Sequence, residues 1–176
     1  MNRNCLPALL PALLFVAPDA ADSSNRLSFP LSEFSITPLE AAPGQTPWTP
    51  LIMSLPPVDG FSANVNVQVQ PFAGTLDEYA ALSQRQFSAA GCKVLSNTRQ
   101  AQTVVIFEYT GKVKDRSLHW YARAVQASGR IYLVTATSAA AHWDKEAPRL
   151  KACVDSFRLS EIGEQGAAPD AAQPRR

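Results

Sequence analysis

Ala63-Asn-Val-Asn-Val-Gln-Val-Gln-Pro-Phe72 is the stretch that decides the fold. Val65, Val67 and Val69 alternate without error with Asn64, Asn66, Gln68 and Gln70. A period of two with one apolar and one polar side describes a strand whose one face lies on a core and whose other face meets solvent. That pattern belongs to an antiparallel sheet rather than to a parallel sheet covered on both sides.

Just after it, Thr75-Leu-Asp-Glu78 forms a capping box, a hydroxyl followed three residues on by a carboxylate. Leu76, Tyr79, Ala80, Ser83, Phe87 and Ala90 then recur in steps of three and four, which predicts an amphipathic helix. Gly91 stands where a left-handed helix end is expected.

Beyond the helix, Cys92 begins a strand, and Thr103-Val-Val-Ile-Phe-Glu-Tyr109 is rich in β-branched and aromatic residues. Residues 111–116 are expected as the next turn. Residues 118–126 and 130–137 follow as two strands joined at Ser128-Gly129. Trp143, Ala147, Leu150, Val154 and Phe157 are spaced for a second helix. Pro148 is best tolerated in a first turn, which places that helix's start near Asp144 or Lys145. Upstream, residues 47–55 read as a short apolar strand. Residues 27–36 read as a strand with a bulge near Pro30, or as an extended edge segment. The order β-β-β-α-β-β-β-β-α lacks repeated strand–helix–strand alternation. It predicts an α+β domain, an antiparallel sheet of about six or seven strands with two main helices.

The chain has 176 residues, with 16 Lys and Arg against 15 Asp and Glu. A net charge of +1 gives no footprint for nucleic acid. Residues 6–16 are an apolar run behind Arg3, followed by small and polar residues, and this resembles a secretory signal removed near residue 20. The alternative, an N-terminal helix, is disfavoured by Pro7 and Pro11. No apolar run reaches the roughly 18–20 residues that span a bilayer. The expectation is a signal at 1–20, one domain at 21–162 and a disordered tail at 163–176, which lacks large apolar residues. The loop at 41–50 carries Trp48 as a lid over the core or an exposed contact.

With Cys5 gone, Cys92 and Cys153 remain, the number a single disulfide requires in an oxidising compartment; the alternative is two buried thiols.

Catalytic motifs are missing: no G-x-S-x-G, no phosphate-binding G-x-x-x-x-G-K-[ST], no CxxC or HExxH. His119 reads as a half-exposed strand histidine without an identifiable partner, and His142 with Glu146 as a solvated helix entrance. No enzyme, cofactor or metal is expected. Lys112, Lys114, Asp115 and Arg116 form a mixed-charge hairpin tip that could fringe a binding face. Trp120, Tyr121, Arg123 and Arg130 together suit an aromatic and arginine interaction patch.

The phrases Asn64-Val-Asn-Val67, Thr75-Leu-Asp-Glu-Tyr-Ala80, Thr103-Val-Val-Ile-Phe-Glu-Tyr-Thr-Gly111, Ile131-Tyr-Leu-Val-Thr-Ala136 and Cys153-Val-Asp-Ser-Phe-Arg158, in this order, resemble the PsbP-like superfamily over about residues 50–160. That superfamily includes the DcrB-like exported lipoproteins, plant PsbP subunits, Ran-binding Mog proteins and adaptors of type VI secretion effectors. The resemblance implies an α/β/α sandwich and members that bind proteins without turning over substrate, and it carries no catalytic residues. This chain lacks a lipobox cysteine. The function expected is an exported, soluble, non-enzymatic accessory protein that binds another protein in the periplasm or outside the cell. The alternatives are a cytoplasmic chaperone or adaptor of a secretion effector, and a small-ligand carrier with a pocket around His119, Trp120 and Tyr121.

Overall fold

The computed structural model describes residues 27–29, 32–37 and 47–159. The apolar run at 6–16, Pro30, the loop at 41–46 and the tail at 163–176 lie outside the described residues. The chain divides into two units, residues 1–40 and residues 41–176.

In the first unit, β1 (Leu27–Phe29) and β2 (Phe34–Ile36) pair antiparallel. Phe29 stacks on Phe34 with ring centroids 4.8 Å apart. The single bulged strand expected from the sequence is thus a hairpin. Glu33, at φ 57°, takes part of the reversal, so the chain folds back on itself instead of kinking.

The second unit holds β3 (Trp48–Ser54), β4 (Asn64–Pro71), α1 (Leu76–Ala89), β5 (Lys93–Ala101), β6 (Val104–Val113), β7 (Arg116–Ala127), β8 (Arg130–Ala139), a short 3-10 turn at Ala140–His142 and α2 (Trp143–Asp155). Its six strands run in the order β3-β4-β8-β7-β6-β5, every neighbour antiparallel. The α+β class and the antiparallel sheet are as the sequence implies.

Each face of the sheet carries one helix. Val65, Val134 and Ala136 pack with Trp143, Leu150 and Val154 of α2. Val105, Phe107, Ala122, Ala124 and Ile131 pack with Leu76 and Tyr79 of α1. The valines of β4 therefore face α2, while its Asn and Gln face the α1 side. There Gln70 accepts a hydrogen bond from the buried Tyr79 hydroxyl at 3.1 Å. The polar face of β4 is half-buried rather than bare.

Helix α1 begins as its capping box dictates. Glu78 N–H donates to Thr75 Oγ1 at 3.2 Å, and Thr75 N–H donates to Glu78 Oε2 at 2.7 Å. Gly91 follows at φ 67°, a left-handed position that an L-residue rarely takes. The β7–β8 turn uses Ser128 and Gly129, at φ 50° and 69°, the geometry of a tight hairpin turn matched to strand twist. The β6–β7 turn is tighter than expected. Only Lys114 and Asp115 lie outside the strands, because β6 continues to Val113 and β7 begins at Arg116. Helix α2 begins at Trp143, which puts Pro148 in its second turn rather than its first. Pro148 is exposed, on the side of the helix away from the core. Among the described residues no helix is long and apolar enough to cross a membrane.

Candidate functional site

A concavity lies at the end of the sheet marked by the β6–β7 turn. Three pieces distant in sequence meet there: the loop after β3, the β6–β7 turn and the 3-10 turn after β8. In the first, Val58 and Phe61 exchange backbone bonds around Asp59 and Gly60, which sit at φ 49° and 70°. An Asp-Gly pair at positive φ is the chemistry of a tight primed turn. Arg116, opening β7, reaches this loop. Its Nη1 donates to the Asp59 carbonyl at 3.1 Å and its Nη2 to the Gly60 carbonyl at 3.4 Å. The guanidinium also lies 5.4 Å from the centroid of the Phe61 ring. From the third piece, His142 Nε2 donates to Asp59 Oδ2 at 2.9 Å; an ionised carboxylate only accepts, so the proton is on Nε2.

These contacts border a groove of about 540 Å³ lined by Asp59, Lys114, Asp115, Arg116, Ser117 and His142, together with the apolar Val113, Ala139 and Ala141. The partners of Arg116 are neutral carbonyls and a ring, and among the described residues no carboxylate forms an ion pair with it, although Asp59 and Asp115 line the same groove. Lys114 adds a second cation, and Asp115 an anion, at the exposed tip. Such a surface suits recognition of polar and charged groups. Each histidine is bonded through Nε2 to a carboxylate, His119 to Glu108 and His142 to Asp59.

A second polar assembly is enclosed between the sheet and α2. His119, buried, donates from Nε2 to Glu108 Oε1 at 2.8 Å and stacks on Trp143 with centroids 3.9 Å apart. Lys151 of α2 donates to both Glu108 oxygens at 2.9 Å and lies over the Tyr121 ring. Burial alone would raise the Glu108 carboxyl, but the hydrogen bonds and charges of Lys151 and His119 outweigh it and hold its pKa below the ordinary range. Tyr121 donates to Asp155 Oδ1 at 3.0 Å. Burial, followed by the bond to Asp155, pushes its hydroxyl up to about 12. This assembly fastens α2 to the sheet. His119 is therefore not the half-exposed residue of the sequence reading.

The seven residues expected at an interaction surface fall into several places. Arg116 and Lys114 line the groove, and Lys112 is exposed on β6 beside it. Trp120 and Tyr121, adjacent on β7, point to opposite faces. Trp120 stacks on Tyr109 at 5.1 Å on the α1 side, and Tyr121 and Arg123 lie beneath α2. Arg130 sits at the β7–β8 turn with its guanidinium 5.9 Å from the Trp48 ring centroid. The structure does not gather Trp120, Tyr121, Arg123 and Arg130 into one patch. Cys92 and Cys153 are separated by the sheet itself. Cys92 lies against Gly111 and near Trp120 on the α1 side, and Cys153 packs into the core under α2; both thiols are free. Of the two readings, a Cys92–Cys153 disulfide or two thiols, the structure has the thiols, since the two side chains lie on opposite faces of the sheet.

The PsbP family model matches residues 62–159, more than half of the chain. The chain belongs to the PsbP family. Among solved structures, the protein of unknown function PA94 from Pseudomonas aeruginosa is similar at a TM-score of 0.50 and 16% identity, covering 77% of this chain and 98% of that one. At that identity the likeness is one of fold. The solution structure of cyanobacterial PsbP (CyanoP) from Synechocystis sp. PCC 6803 aligns at a TM-score of 0.43 and 15% identity, over 56% of this chain and 68% of that one. No curated protein matches.

The PsbP match begins after Asp59, so the groove combines family residues with a loop outside the matched segment. Sequence reasoning passed over Asp59 and the Glu108–His119–Lys151 assembly. For the first, the Asp59-Gly60 pair after Pro56-Pro57 was a readable turn signal. For the second, only the β6–β7 register and the seating of α2 bring the groups together.

Proposed function

We propose that this PsbP-family chain is an exported, non-enzymatic accessory protein that holds another protein through the groove at the β6–β7 turn. The observation that carries this reading is the placement of Arg116. Loop carbonyls and the Phe61 ring orient it, and its charge is left to answer an acidic or polar group of a partner. A partner of that kind would also meet Lys114 and His142.

Two measurements test it. The first is the intact mass of the protein from fractionated cells. A species beginning near Ala21 in the envelope fraction is expected, and a full-length cytoplasmic species would replace this reading with a cytoplasmic adaptor. The second is a photo-crosslinking residue in place of Lys114, with another at exposed Arg85 on α1 as control. One discrete adduct from the Lys114 position, lost in Arg116→Glu, is expected. Identical adducts from both positions, or none, would remove the groove from the function.

A further inference from the structure

The sheet has two outer strands, and they are not alike. On β5, Lys93 and Arg99 are exposed, Arg99 is paired with Asp77, and the ladder to β6 slips between Val94 and Ser96 and again between Arg99 and Ala101. Charges and bulges are the usual means of keeping an edge from pairing with another chain. On β3, Trp48-Thr-Pro-Leu-Ile-Met-Ser54, there is no charged residue, and Ile52 and Met53 are 63% and 42% exposed. Its ladder to β4 slips once, between Trp48 and Leu51 around Pro50, and is regular from Leu51 to Ser54, so the unprotected stretch is the second half of the strand.

The backbone direction of that stretch follows from one bond. Leu55 N–H donates to the Ala63 carbonyl at 2.7 Å, so by antiparallel alternation Met53 and Leu51 also turn their amides to β4. Ile52 and Ser54 then aim N–H and C=O outward from the sheet. Pro50, which has no amide to offer, lies in the stretch where the ladder to β4 shifts register, a place where an edge strand tolerates proline.

Beside this edge, which no described strand pairs, lies on the α2 face a slot of about 180 Å³ between β3, β4 and α2. It is lined by Met53, Leu55, Val65, Leu150 and Cys153, with Arg149 at its rim. Arg149 is exposed and, among the described residues, pairs with no carboxylate. We infer that β3 is a docking edge for an extended segment of a partner protein, which adds as a strand at Ile52 and Ser54, seats an apolar side chain in the slot and presents a carboxylate to Arg149. Strand addition takes affinity from main-chain bonds and specificity from a pocket for alternate side chains, and both parts are present here. A second copy of this chain fits less well, because β3 contains no acid to answer Arg149. This surface is separate from the groove and stands or falls without it.

The test pans a phage-displayed library of random short peptides on the full chain and measures the affinity of the selected consensus peptide. The expected consensus alternates apolar and polar residues and carries Asp or Glu at a fixed spacing from one apolar position. Ile52→Pro removes an outward amide and is expected to weaken that peptide about tenfold, with an unchanged melting temperature. Ile52→Lys, an exposed change that leaves the backbone intact, is expected to weaken it similarly, so the inference remains testable if the proline variant does not fold. Arg149→Glu is expected to shift the consensus from acidic to basic. Peptides whose binding is unaffected by both Ile52 variants, or a library that yields none, would overturn the inference. So would a full chain that sediments as a dimer and returns to monomer in Ile52→Lys, which would make the occupant a second copy.

Discussion

Lys151 Nζ stands 2.9 Å from each carboxylate oxygen of Glu108, and through that contact helix α2 is fixed to strand β6. His119 approaches one of the same oxygens at 2.8 Å, so one carboxylate answers two donors from two elements.

Glu108→Gln keeps the shape but removes the charge, and is expected to lower stability by about 1–2 kcal/mol at neutral pH, as measured by urea denaturation. The dependence on pH has a definite sign. The folded carboxyl titrates below its unfolded value, so its contribution is complete above about pH 4.3 and disappears as pH falls through the folded value. The acid limb of stability should therefore be flatter in Glu108→Gln than in the parent. Equal acid limbs would mean the assembly contributes nothing through charge.

Tyr121 behaves in the opposite sense. Its folded hydroxyl titrates near 12, above the unfolded value of about 10, so its contribution is present below about pH 10 and declines between the two. Tyr121→Phe loses the bond to Asp155 and is expected to cost about 1 kcal/mol near neutrality. It should also soften the alkaline decline without abolishing it, because burial raises Tyr79 and Tyr109 too. An alkaline titration of stability on both proteins decides the matter.

Gly111 lies within β6, where a Cβ would meet Cys92 Sγ at 2.8 Å and Trp120 Cζ3 at 3.4 Å. Gly111→Ala is expected to lower stability by about 1–3 kcal/mol through overcrowding. Adding Cys92→Ala makes room, so the pair should regain part of the loss. A double variant no better than the sum of its parts would show that the strain is relieved elsewhere.

Because the sheet separates Cys92 from Cys153, the melting temperature of the full chain should not respond to a reductant. Loss of a structural disulfide commonly removes about 2–5 kcal/mol and several degrees. A drop of that size on reduction would contradict the arrangement.

What the sequence disclosed was local. Alternation in β4, the capping box at Thr75 and the Ser128-Gly129 turn each act within a few residues, and the structure follows them. The supposed Trp120–Tyr121 patch fails on an equally local rule, since neighbours in a strand face opposite ways. The groove was half visible. Lys114 and Arg116 read as a hairpin tip, yet Asp59 and His142, which complete it, stand 83 residues apart in sequence. The Glu108 assembly depended on where the β6–β7 turn reversed. Placing that turn at two residues instead of six sets which side chains stand near each other along the whole hairpin.

The strand order has a kinetic meaning. Strands β5 to β8 follow one another as a meander, each pairing with its neighbour in sequence, and such contacts close quickly. Strand β4 reaches β8 only across α1 and that entire meander, with Asn64 opposite Thr137 and Pro71 opposite Arg130. Closing so long a loop delays its reward. The β3–β4 ribbon should then join late in folding and detach first on opening, so that its amides exchange with solvent sooner than those of β6 and β7. The outer strand with the bare edge would thus be held by the youngest part of the sheet.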